Sequence, residues 1–105
     1  MVHIALNVGG YLYETTRETV MKSKLLSERI QTAEKNSCGD TIFLDRDGVM
    51  FNCILNYMRT GYIWAANFQH SQILRIEAEY FGLEDAIAQL DLQEAAFKSN
   101  TFYKP

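Results

Sequence analysis

Val2, Ile4, Leu6 and Val8 alternate with His3, Ala5 and Asn7, the two-residue period of a strand that turns one face to a core. Gly9-Gly10 interrupts the alternation. A Gly-Gly pair tolerates the positive φ angles of a tight hairpin, so Tyr11 to Thr15 is predicted to return antiparallel to the first strand. Thr15 and Glu18 have the spacing of a capping box, which predicts a short helix through Val20 and Met21. Leu25, Leu26 and Ile30 carry helical spacing on to about Gln31. Glu34 to Asp40 is polar, contains Gly39 and reads as a surface loop.

Thr41 to Leu44 is a short β-branched and aromatic run that predicts a third strand. It ends at Asp45-Arg46-Asp47-Gly48, where Asp47 is placed to cap the next helix. From Val49 to Thr60 the polar positions Asn52, Asn56 and Arg59 share one narrow stripe. Apolar and aromatic side chains occupy the rest, so this helix is expected to be nearly surrounded. Gly61 closes it, a loop passes through Trp64 and Asn67, and a further apolar helix is predicted from Ser71 to Phe81 with Gly82 as its stop. Leu83, Ile87 and Leu90 form a last stripe, with Glu84 and Asp85 in its favourable first turn.

Strands come early and helices late, which predicts an α+β fold rather than a doubly wound parallel sheet. No linker composition interrupts the 105 residues, whose 48% apolar content suffices for one core. Residues 1–92 are read as one domain and 93–105 as a carboxyl-terminal tail.

A net charge of −3 with scattered basic residues argues against a cationic face for nucleic acid or anionic lipid. No apolar run approaches the roughly 20 residues of a membrane span, and the amino terminus lacks a signal-peptide pattern. The chain is therefore expected in the cytoplasm, where two unpatterned cysteines suit a reducing environment. Cys53 is read as a small core residue and Cys38 as a loop thiol.

Candidate chemistry is sparse. Asp45-Arg46-Asp47 lacks the alternate ligands and closing glutamate of a calcium loop, since the twelfth position is Asn56. Gly9-Gly10 joins two strands, not the strand and helix of a dinucleotide fingerprint. His3 and His70 have no nucleophile motif beside them. The expectation is no enzyme, no cofactor and no metal. For Asp45 and Arg46 two readings stand: charged surface contacts within the chain, or a carboxylate-gripping arginine fork at a subunit seam.

Three blocks carry a resemblance: Leu6-Asn7-Val8-Gly9-Gly10 with Tyr13, Thr15-Thr16-Arg17 and Thr19; Ile42 to Asp47 with Phe51 and Ile54 to Gly61; and Glu77 to Leu83. Together they resemble the BTB/POZ domain of the potassium-channel-tetramerisation (KCTD-like) family, over roughly residues 4 to 90. Gly48 stands where many relatives have proline, Tyr13 replaces the usual phenylalanine, the segment before Ser27 lacks the common proline, and the channel-type zinc cluster is absent.

The resemblance implies a small three-stranded sheet with about five helices, self-assembly as a homo-tetramer or homo-pentamer, and a role as substrate adaptor for a cullin-RING ubiquitin ligase. It tips Asp45, Arg46 and Asp47 towards the subunit seam, together with Asn7, Gly9, Gly10, Thr15, Arg17 and Arg59. Phe51, Tyr57 and Met58 are candidate partner contacts. Two alternatives are carried: the cytoplasmic tetramerisation domain of a voltage-gated potassium channel, and a stand-alone BTB protein that modulates its relatives.

Overall fold

The computed structural model describes residues 3–36 and 41–99. Strands β1 (His3–Val8) and β2 (Tyr11–Thr16) form the predicted hairpin, in register from His3 opposite Thr16 to Val8 opposite Tyr11. Gly9 and Gly10 both take positive φ, 57° and 100°, as a two-residue turn with the right twist requires. The Asn7 side chain accepts from the Gly10 N–H at 2.8 Å and reinforces the turn. Strand β3 (Ile42–Leu44) pairs with β1 in parallel, so the sheet order is β2-β1-β3.

Helices α1 (Arg17–Val20), α2 (Lys24–Lys35), α3 (Gly48–Thr60), α4 (Phe68–Phe81) and α5 (Glu84–Ser99) complete the described chain. Leu6, Val8 and Leu44 enter the core from the sheet and meet Phe51, Ile54, Leu55 and Met58 of α3 and Leu74, Ala78 and Phe81 of α4. Phe51 is the hinge of an aromatic row, 5.1 Å from the Tyr13 ring and 5.3 Å from the Phe81 ring. At a further junction the buried Ser23 hydroxyl caps α2 by accepting from the Leu26 N–H, and donates to the Phe81 carbonyl at 2.7 Å.

Several boundaries differ from the sequence reading. The cap of α1 is Thr16, whose hydroxyl accepts from the Thr19 N–H, not Thr15, because Thr15 points inward opposite Ile4 and is buried. Helix α2 continues past Gln31 to Lys35. Helix α4 begins at Phe68: Asn67 accepts from the His70 N–H, and His70 Nδ1 accepts in return from the Ala66 N–H at 2.9 Å. The pair differs from a capping box in that the histidine reaches one residue past the cap, to the Ala66 N–H instead of the N–H of Asn67. Helix α5 runs through position 92 as far as Ser99. Cys38, Gly39 and Asp40, like 100–105 of the tail, lie outside the described residues.

Gly9 packs against the turn that leaves β3. A Cβ there would lie 2.3 Å from the Arg46 carbonyl oxygen, in a backbone conformation that already disfavours a side chain. Gly9→Ala is expected to destabilise the fold by about 2 kcal/mol or more. Gly10→Ala, with open space around its Cβ, is expected to cost less, and paired urea midpoints measure the difference.

Candidate functional site

The sequence candidates separate into two groups at opposite ends of the sheet. Asn7, Gly9 and Gly10 gather with Asp45, Arg46 and Asp47 at the hairpin turn, joined by a bond from the Gly9 N–H to the Leu44 carbonyl at 2.8 Å. Thr15, Arg17 and Arg59 collect at the other end, about 17 Å away along six-residue strands. There Arg59 donates to the Glu14 carbonyl at 3.3 Å, and Arg17 pairs with Glu34 at 2.8 Å.

Within the first group Asp47 caps α3, its carboxylate accepting from the N–H groups of Val49 and Met50. Asp45 is exposed. Arg46 turns inward across the chain. Its Nε and Nη2 donate to the two Glu77 oxygens at 3.1 and 3.0 Å, and its guanidinium lies 4.2 Å from the centroid of the Tyr80 ring. Glu77, on α4, is 7% exposed, so the fork holds a nearly buried carboxylate. Arg46 thus grips a carboxylate of its own chain, and nothing local to the Glu77 to Leu83 block marked Glu77 as its partner.

Phe51 and Met58 are core residues, 1% and 0% exposed. As candidate partner contacts they are corrected by this packing, because neither presents surface while the chain is folded. Tyr57 is half-buried and donates to Asp85 at 3.0 Å. Burial first, then the bond to Asp85 and its negative charge, push the Tyr57 phenol up to about 12. Burial also raises the Tyr13 phenol, whose hydroxyl donates to the Gly48 carbonyl at 2.5 Å, and the Cys53 thiol.

The residues that sequence reasoning missed are exposed and apolar. Leu12 and Phe43 both pair with Asn7, from either side, and so form one row across the open face of the sheet. They are 75% and 56% exposed. Tyr11 and Val49 are exposed beside the same turn. The two-residue hairpin fixes Leu12 opposite Asn7, so the sequence held that half of the signal; the parallel partner of Asn7 was not readable. A second exposed pair, Tyr62 and Trp64, follows α3 with rings 6.4 Å apart and nearly parallel.

Among the described residues no group of acidic, histidine or cysteine side chains has the arrangement of a metal site, and no helix is long and apolar enough to cross a membrane.

A three-stranded mixed sheet backed by five helices is the architecture of a BTB/POZ domain, and the model of the BTB/POZ domain family matches residues 4–90. The chain belongs to the potassium-channel-tetramerisation type of that family, the KCTD-like branch. SH3KBP1-binding protein 1 of Bos taurus is 38% identical over 103 residues, covering 92% of this chain and 14% of that protein. BTB/POZ domain-containing protein KCTD21 of Homo sapiens is 36% identical over 98 residues, covering 87% of this chain and 37% of the relative. For BTB/POZ domain-containing protein KCTD3 of Homo sapiens the values are 36% over 103 residues, 92% and 12%. The chain therefore spans 12% to 37% of the length of these relatives.

Two measurements test this geometry. In a double-mutant cycle, Arg46→Ala and Glu77→Ala are each expected to cost about 1–3 kcal/mol, with a favourable coupling of about 1 kcal/mol or more by urea denaturation. The second concerns alkali. Unfolded tyrosine titrates near 10, and the folded Tyr57 phenol holds its proton to about 12. Folding therefore retains a proton that the unfolded chain releases, and stability falls as pH rises from 10 to 12. Tyr57→Phe is expected to make that fall shallower without abolishing it, since Tyr13 acts in the same direction.

Proposed function

We propose that this chain is a self-associating interaction module that closes into a ring of four or five copies, and that the ring serves in the cytoplasm as a substrate adaptor on a cullin scaffold, with no catalytic step of its own. Membership of the KCTD-like family supports the reading. The observation that carries it is the row of Leu12, Asn7 and Phe43 across the uncovered face of the sheet. An open sheet face in a solitary domain is usually polar. Covering Leu12 and Phe43 in a subunit contact would contribute roughly 1.5–3 kcal/mol for each side chain.

Charge adds direction. Asp45 and Asp47 are exposed beside the turn, while Arg17 and Arg59 stand at the far end of the sheet. Arg17 is already paired with Glu34, so in a head-to-tail contact Arg59 is the charge set against Asp45 and Asp47. A contact of unlike faces whose rotation closes gives a ring rather than a two-fold pair. In such a ring Asn7 and the turn glycines border the seam, while Arg46 acts from behind it by holding the Asp45 to Asp47 turn in place.

Light scattering of the purified chain is expected to give a mass of four or five copies. Leu12→Glu with Phe43→Glu is expected to bring it down towards one copy with the helical circular dichroism retained. A folded wild-type chain that stays at 12.1 kDa at high concentration removes the ring. If the ring stands but fails to bind a purified cullin at micromolar concentration, the adaptor role is removed and the self-association remains.

A further inference from the structure

The segment between α3 and α4 is extended and held by two glutamines one helical turn apart on α5. Gln89 Oε1 accepts from the Ile63 N–H at 3.1 Å, and its Nε2 donates to the Gly61 carbonyl at 2.8 Å. Gln93 repeats the pattern: its Oε1 accepts from the Ala65 N–H at 2.9 Å, and its Nε2 donates to the Ile63 carbonyl at 2.7 Å. The backbone is thereby satisfied as it would be in a sheet, by side chains instead of a strand. Ile63 is driven inward, and the alternation sends Tyr62 and Trp64 out, 62% and 73% exposed and nearly parallel. Two large rings on a fixed backbone are costly to leave in water and lose little freedom on contact.

Beside the rings lies a pocket lined by Lys22, Tyr57, Gly61, Gly82, Leu83, Glu84 and Asp85. Gln89 ties the pocket to the loop, since the same Nε2 that meets Gly61 also reaches Asp85 at 2.9 Å. Among the described residues its lining carries two carboxylates and one ammonium. Gly61 and Gly82 are the left-handed caps of α3 and α4, so two carbonyl ends, each bearing partial negative charge, converge on it. Glu84 and Asp85 add carboxylates, and among the described residues the Glu84 carboxylate has no ion pair or hydrogen bond. Among the described residues Lys22 is the one cation lining the pocket, and its ammonium donates to the Met58 carbonyl at 2.8 Å.

We propose that this aromatic pair and its acidic pocket are a docking surface for an arginine-bearing segment of another protein. A guanidinium is flat, stacks on aromatic faces and pairs with carboxylates through its fork, so arginine chemistry suits each half of the surface. A second copy of this chain is disfavoured there, because a two-fold contact would bring Glu84 and Asp85 against their own counterparts. The surface is also separate from the hairpin-turn half of the seam proposed above: it sits at the carboxyl end of α3 and the turn at its amino end, about 20 Å apart along 13 residues.

Trp64 is the single tryptophan and reports directly on the surface. Titration with an acetylated, amidated Gly-Arg-Gly-Arg-Gly peptide is expected to shift its emission saturably. Replacing both arginines by neutral citrulline, or changing Glu84→Lys in the protein, is expected to weaken binding about tenfold. The absence of a saturable shift overturns the proposal, and so does equal binding of the citrulline peptide or an unaltered response in the Glu84→Lys chain. Light scattering of Trp64→Ala is expected to leave the mass unchanged; a fall in mass would assign the surface to a second copy and overturn the proposal without touching the seam at the hairpin.

Discussion

Arg46 joins the sheet to the helices at the point where the chain leaves β3. That strand has three residues and pairs along one edge of β1, a short ladder to hold in place by backbone bonds alone. The turn after it is fixed from two directions. Gly9 fits beneath the Arg46 carbonyl at a distance no side chain would allow, and the Arg46 side chain closes on Glu77 and Tyr80. Because α4 also supplies Leu74, Ala78 and Phe81 to the core, the pair sets the angle at which the helical layer meets the sheet. Its net energy is modest beside that of the core, while its two-pronged geometry makes it directional.

The same turn accounts for how the open face is displayed. Gly48 begins α3 so close to the hairpin that a Cβ would lie 2.3 Å from the Val8 carbonyl and 2.4 Å from the Tyr11 ring. Tyr13 reaches the Gly48 carbonyl from below. Hairpin, turn and helix start therefore form one rigid corner, and Leu12 and Phe43 are presented on it without freedom to fold back. The aromatic pair at the far end of α3 is held by equally definite means, the glutamine bonds from α5. With the proposed assembly on one corner and the proposed capture on the other, each copy in a ring would stay able to bind, and several weak contacts would then act together.

Much of this was legible in the chain. Alternation and a Gly-Gly turn gave the hairpin, Asp47 was read as the α3 cap, and Gly61 and Gly82 as helix ends, because each of these is a local signal. What escaped the reading depends on distant partners. Nothing local says that Phe43 lies parallel to Asn7, or that Arg46 finds Glu77 thirty-one residues on. Helix α5 was cut short because Gln89 and Gln93 serve a neighbouring loop instead of the core, which blurs its apolar stripe. Phe51 and Met58 were offered as surface because a nearly all-round apolar helix does not reveal which of its faces is covered.

The parallel pairing of β1 with β3 also orders events at the ribosome. Leu6 and Val8 are made before the rest of this core, yet Leu44 joins them only after the chain has passed through two helices, and Phe81 arrives about 70 residues after Val8. At translation speeds of roughly 5–20 residues per second the nascent hairpin waits some seconds with its greasy side bare. Within this domain the hairpin is thus the part most in need of shelter during synthesis, and chaperone dependence should be concentrated there.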